Sequence, residues 1–73
     1  MQSPVPSYVQ LAGQLRARIL SGDLAPRTPL PSLKYLQDET GLSVNTIRRA
    51  VALLVSEGLA VSVQGRGTYV AER

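Results

Sequence analysis

The 73-residue sequence has no cysteine, no histidine and no tryptophan. Without cysteine there is no disulfide to staple a small fold and no thiolate nucleophile. Without histidine there is no imidazole metal ligand and no Ser-His-Asp arrangement. No metal and no cofactor are expected. The only aromatics are three tyrosines, Tyr8, Tyr35 and Tyr69, so the core must be aliphatic. No apolar run approaches the ~20 residues needed to span a bilayer. The N-terminus, Met1-Gln2-Ser3-Pro4, lacks the basic-then-apolar layout of a signal peptide. No membrane role is expected, and the default location is the cytoplasm. Acidic groups are few as well. Asp23, Asp38, Glu39 and Glu57 sit near expected helix ends or turns, and Glu72 lies in the tail. No two are spaced as an acid/base pair, and no nucleophile stands beside a base. An enzyme is not expected.

What is present is aliphatic and basic. Eight Lys and Arg stand against five Asp and Glu, a net charge of +3, and seven of the eight are arginine. That balance suits a polyanion, and arginine is the better residue for bidentate phosphate and guanine contacts. The length allows one domain with a small core.

Pro4 and Pro6 mark residues 1–7 as an arm. Ser7 can cap a first helix. Tyr8, Leu11, Ala12, Leu15 and Ile19 follow at spacings of three and four, one helical face. Arg16 and Gln14 fall off that face. Ser21-Gly22 ends the helix. Pro26, Pro29 and Pro31 exclude a helix from 24 to 31. A turn and a short extended piece around Thr28-Leu30 are expected there. Ser32 caps a second helix from Leu33 to about Thr40, with Leu33 and Leu36 inward. Gly41 stops it. After Gly41-Leu42-Ser43, Ile47, Ala50, Val51 and Leu54 form the stripe of a third helix, closed by Glu57-Gly58. Two helices joined by so short a turn are a helix-turn-helix pattern. Leu59 to Val63 alternates large apolar with small residues, as a half-buried strand does. Gln64-Gly65-Arg66-Gly67 is a glycine-rich turn, and Thr68-Tyr69-Val70 has strand composition. The fold class is α+β: three helices and a small antiparallel β-hairpin.

These residues, in this order, resemble a known family. Leu30-Pro31-Ser32, Gly41-Leu42-Ser43-Val44-Asn45-Thr46-Ile47-Arg48-Arg49-Ala50, Glu57-Gly58-Leu59 and Gln64-Gly65-Arg66-Gly67-Thr68-Tyr69-Val70 resemble the winged helix-turn-helix domain of GntR-type transcription regulators. Tyr8 and Ile19-Leu20-Ser21-Gly22-Asp23-Leu24 fit the same pattern. The similarity runs from about Pro6 to Val70. It implies a bacterial regulator, more often a repressor, that binds double-stranded DNA as a homodimer on a palindromic operator. The isolated domain can still be a monomer. In that family a separate C-terminal domain senses a small metabolite, and residues 71–73 would be a tail where such a domain begins. A trimmed domain and a naturally short member both fit. The sequence departs from the family in three places. Leu33-Lys34 replaces the usual acidic residue and arginine after Leu-Pro-Ser. Val44 stands where many members have arginine. Arg27 replaces a frequent glycine, and a different local turn is expected there because arginine tolerates positive φ poorly.

The binding residues follow from a third helix lying in the major groove, where its N-terminal residues meet base edges first. Opposite the core stripe lie Asn45, Arg48, Arg49, Ala52 and Ser56. Arg48 and Arg49 are candidates for guanine or phosphate contacts. Asn45 can pair with adenine and Val44 can touch a thymine methyl, although helix-start chemistry explains both equally. Ser43 is a helix cap and also a phosphate donor at a helix N-terminus. The resemblance makes Thr46 a phosphate or base contact, and simple packing is the alternative. Ser32 and Lys34 begin the helix that crosses the backbone, with Lys34 reaching a phosphate. Gln64, Gly65, Arg66 and Gly67 can lay the hairpin tip on the minor groove or flanking phosphates, with Arg66 supplying charge for a narrow groove; an ordinary hairpin turn is the alternative. Arg16, Arg18 and Arg27 are expected away from the DNA or at its edge, and the three tyrosines in packing or rim positions. A protein-docking module is the competing function, because fold alone does not decide. It would expose apolar rather than charged residues on the third helix.

Overall fold

The structure is a computed structural model, and it describes residues 5–72. Residues 1–4 of the expected arm and Arg73 of the expected tail lie outside the described residues. The elements run α1 (Ser7–Ser21), α2 (Leu33–Thr40), α3 (Val44–Ser56), β1 (Ala60–Val63) and β2 (Gly67–Val70). The α+β architecture read from the sequence is the one observed.

Local chemistry accounts for most boundaries. Ser32 and Ser43 are extended N-caps whose hydroxyl oxygens accept from the N–H groups of Tyr35 and Thr46, at 3.1 and 3.2 Å. Each satisfies one of the orphan donors that begin a helix. Gly41 closes α2 in the left-handed region, φ 72, donating its N–H to Gln37 O at 2.8 Å. A side chain there would be strained, which explains glycine at the first position of the three-residue α2–α3 turn. Ser7 is not the cap of α1. Pro6 is, with φ −54 and ψ 144, and its carbonyl accepts from both Val9 and Gln10. The locked proline ring presets the backbone, so the helix starts one residue early, without a side-chain cap.

The core lies where α1 crosses α3. Leu15, Ile47 and Leu54 are its largest fully buried side chains. Ala12 and Ala50 are also fully buried, one on each helix, and their small size lets the two helices approach closely. Leu36 of α2, Leu30, Ala60 and Val70 close the cluster.

The hairpin pairs antiparallel, with Ala60 opposite Val70 and Val63 opposite Gly67. A third short segment lies on the other side of β2. Leu30 N–H donates to Thr68 O, Val70 N–H to Thr28 O and Arg27 N–H to Val70 O, at 3.0, 2.8 and 2.9 Å. Pro29 bridges Tyr69 from the outer edge, where its missing N–H costs nothing. Pairing also continues past Val70: Ala71 is buried, and its N–H donates to Leu59 O. The expected alternation of β1 is not observed, since Ser62 is exposed as well. Ala60 faces the core, and Val61 and Val63 are exposed. Ala60 joins Leu30 and the α3 residues Ile47, Ala50 and Leu54 in the core cluster.

The turn at Arg27 also corrects the sequence reading. Arg27 itself adopts φ 68, the only non-glycine described with positive φ. Its N–H is held by Val70 O, and its guanidinium reaches Glu72 at 3.0 Å, so tertiary bonds over-determine the strained backbone. Left-handed backbone costs an L-residue ~1–2 kcal/mol, and the exposed ion pair returns little. Arg27→Gly is therefore expected to raise the stability of the domain by about 1 kcal/mol in urea titrations. A lowered midpoint would show that the ion pair outweighs the strain.

Candidate nucleic-acid interface

Each expected contact residue stands on an element whose geometry is already fixed. Ser43 caps α3, and its hydroxyl lies 3.0 Å from that of Thr46, so the two share one hydrogen bond across the first turn. Val44 and Thr46 are half-buried against the body of the domain, while Asn45 projects freely. Neither α2 nor α3 has an acidic residue in its first turn. Both positive helix ends are therefore left without a fixed counter-charge. Lys34 is exposed on the first turn of α2, next to the capping Ser32.

The wing turns through Gln64-Gly65-Arg66, with Arg66 N–H donating to Val63 O at 3.0 Å. Gly65, φ 79, holds the third position of that turn, where positive φ is required in type II geometry. Gly67 begins β2 with φ 108. Turn geometry thus accounts for both glycines, and Arg66 is left exposed between them.

Arg66 and Arg48 both line a groove of about 680 Å³ between the wing, α3 and the start of α2. Ser32 and Gly67 line the same groove, over an apolar floor that includes Leu33, Leu36 and Val51. Lys34, Asn45, Arg49, Gln64 and Gly65 lie outside it. The apolar exposure of α3 is confined to Ala52 and Val55 near its C-terminal end. Its N-terminal half shows Asn45, Arg48 and Arg49, the opposite of an apolar docking face.

The structure sorts the cations in a way the sequence did not reveal. Arg16 forms a two-pronged pair with Glu57 at 2.8 and 2.7 Å, tying α1 to the end of α3. Hydrogen bonding from Arg16 holds the Glu57 carboxyl below its ordinary range, and the same bond raises the Arg16 guanidinium. Arg18 pairs with Asp23, and Arg27 with Glu72. Among the described residues, Lys34, Arg48, Arg49 and Arg66 form no ion pair. The three arginines expected off the interface carry carboxylate partners, and the four cations expected on it do not. A second unforeseen contact is the Arg49 guanidinium, 4.3 Å from the centre of the Tyr8 ring. Nothing in the local sequence links residues 41 apart, so neither contact was visible before the fold.

Three helices, a tight turn between the second and third, and a glycine-tipped hairpin beside the third define a winged helix-turn-helix domain, a DNA-binding module of transcription regulators. The family model for bacterial regulatory proteins of the gntR family matches residues 7–70. The chain belongs to the GntR family. It is 44% identical over 71 residues to the HTH-type transcriptional repressor NagR of Bacillus subtilis, covering 97% of this chain and 29% of that protein. It is 43% identical over 67 residues to the mannosyl-D-glycerate transport/metabolism system repressor MngR of Escherichia coli, covering 92% and 28% respectively. The chain thus spans less than a third of these relatives. The crystal structure of the AraR DNA-binding domain in complex with operator ORX1 superposes with a TM-score of 0.87 at 38% identity, over 97% of this chain and 92% of that one. Among the described residues, no helix is long and apolar enough to cross a membrane.

Proposed function

We propose that this domain binds operator DNA as the reading head of a cytoplasmic transcriptional repressor, and that it performs no catalysis. Residues 8–70 are the binding unit, α3 enters the major groove, and the wing rests on the minor groove or its flanking phosphates. Two domains related by a two-fold axis would read a palindrome, each taking one half-site. Repression follows the names of the two relatives. The observation that carries the reading is the set of four cations without an ion pair among the described residues, Lys34 on α2, Arg48 and Arg49 on α3 and Arg66 on the wing, with every other described arginine neutralised.

In this arrangement phosphates are met by Lys34, by Ser32 and Ser43 beside their helix N-termini, and by Arg66 and its flanking Gln64, Gly65 and Gly67. Bases are met by Arg48, Asn45 and Val44, with Thr46 at the edge of the groove and Arg49 on the opposite flank. Phosphate contacts set the register and base contacts set the sequence.

The reading has a quantitative test. Three neutralised phosphates per domain, met by Lys34, Arg49 and Arg66, correspond to a log–log salt slope of about −2.7, that is, roughly a fortyfold loss of affinity between 50 and 200 mM salt. A duplex enriched from a random pool by the chain itself supplies the substrate. A slope near zero, or no enrichment over the starting pool, would refute the assignment.

A further inference from the structure

Arg48 and Arg49 are neighbours in sequence but stand about 100° apart around the axis of α3. Arg48 lines the groove that α3 shares with Arg66 of the wing. Arg49 lies on the other flank, its guanidinium over the Tyr8 ring of α1. Tyr8 is half-buried and packs against the core. The next turns of its helix, through Leu11, Ala12 and Leu15, are buried. The ring is therefore a platform fixed by the α1–α3 packing rather than a loose surface group.

We propose that Tyr8 is a positioning residue for DNA binding: its ring holds Arg49 on the α1 flank of α3, where the guanidinium grips the strand opposite the one met by Arg48 and Arg66. This rests on α3 being the helix that enters the major groove. A helix lying there has one phosphate backbone on each side. A guanidinium resting over a ring uses its face for the ring and keeps its N–H donors at the edge, free for a phosphate. An unrestrained arginine loses rotamer freedom when it binds; one already parked on tyrosine loses less. No carboxylate among the described residues competes for it. The first helix thereby becomes part of the interface without touching a base.

The test measures affinity and salt slope on one pool-selected duplex for Tyr8→Leu, Tyr8→Phe, Tyr8→Trp, Arg49→Ala and the Tyr8→Leu/Arg49→Ala pair. Tyr8→Leu should weaken binding about two- to fivefold, the range set by an exposed cation–π contact. Tyr8→Phe should stay near wild type because the π-face is kept. Tyr8→Trp should bind as tightly or more tightly, a gain that a merely structural role would not give. In the Arg49→Ala background Tyr8→Leu should have no further effect. Effects that multiply in the double variant would overturn the proposal. So would a Tyr8→Phe variant as weak as Tyr8→Leu, which would assign the role to the hydroxyl. Tyr8→Leu is scored only if its melting temperature holds; otherwise Phe and Trp in the two Arg49 backgrounds decide. If Arg49→Ala is silent while Arg48→Ala and Arg66→Ala weaken binding, this inference fails and the DNA reading stands. If all three are silent, the DNA reading itself fails.

Discussion

Leu54→Ala is expected to lower the melting temperature by on the order of 10–40 °C. Leu54 is fully buried, the last residue of the α3 stripe. The carbonyl of the same residue accepts from Leu59, so it also anchors the chain as it leaves α3 for the hairpin. Truncating a buried leucine costs ~2–5 kcal/mol, the loss of transfer free energy plus an unfilled cavity. A domain of this size is held by only ~4–11 kcal/mol. Each kcal/mol moves the midpoint by ~4–8 °C at this length. The sequence has no cysteine to form a disulfide, and among the described residues no buried polar network shares the load. Leu20, 54% exposed on α1, is the control. Leu20→Ala should change stability by less than ~0.5 kcal/mol. Circular dichroism melts of the two variants decide the matter; similar midpoints would mean that the core is not centred on α3.

The burial of Leu54 was legible in the sequence, and the reason is local. A helix repeats every 3.6 residues, so Ile47, Ala50 and Leu54 announce their shared face without any partner being known. Capping is local too: Ser32 and Ser43 need only a hydrogen bond to an N–H three residues on, and both make it. The hairpin resisted the same logic. Period-two alternation says that one side of β1 is buried but not which side. Ala60 is the one buried residue of the strand because of its place in the core cluster with α3, not because of the strand's own pattern. Arg27 shows the same limit. Its φ of 68 is imposed by bonds to Val70 and Glu72, 43 and 45 residues away in the chain. The helix starts and the glycine-rich turn that carry the candidate contact residues were readable, because they are local features. Their sorting was not. Which arginines are neutralised depends on Arg16 meeting Glu57, and which one is braced depends on Arg49 meeting Tyr8.

That sorting carries the second large effect. Arg48→Ala is expected to weaken binding to a selected duplex by ~1–3 kcal/mol, about 5- to 150-fold, if its guanidinium meets a guanine edge. Arg66→Ala should cost less, fall nearly equally on all sequences, and reduce the salt slope by about one. Both side chains are exposed and in no ion pair among the described residues, so neither change should move the melting temperature. Arg18→Ala is the informative comparison. It removes the same charge from the same small domain, but that charge is already paired with Asp23 at 2.8 Å. Net charge alone would make the three variants equivalent at long range. Placement and pairing make them different, because a cation held by a carboxylate must give up that partner before it can displace a counterion from a phosphate. Arg18→Ala should therefore bind within about twofold of wild type. If it loses as much as Arg48→Ala, attraction to DNA is a property of the whole surface and the α2–α3–wing face has no special part in it. If Arg48→Ala loses affinity for the selected duplex but not for an unrelated one, while Arg66→Ala loses both, the helix reads sequence and the wing reads the backbone.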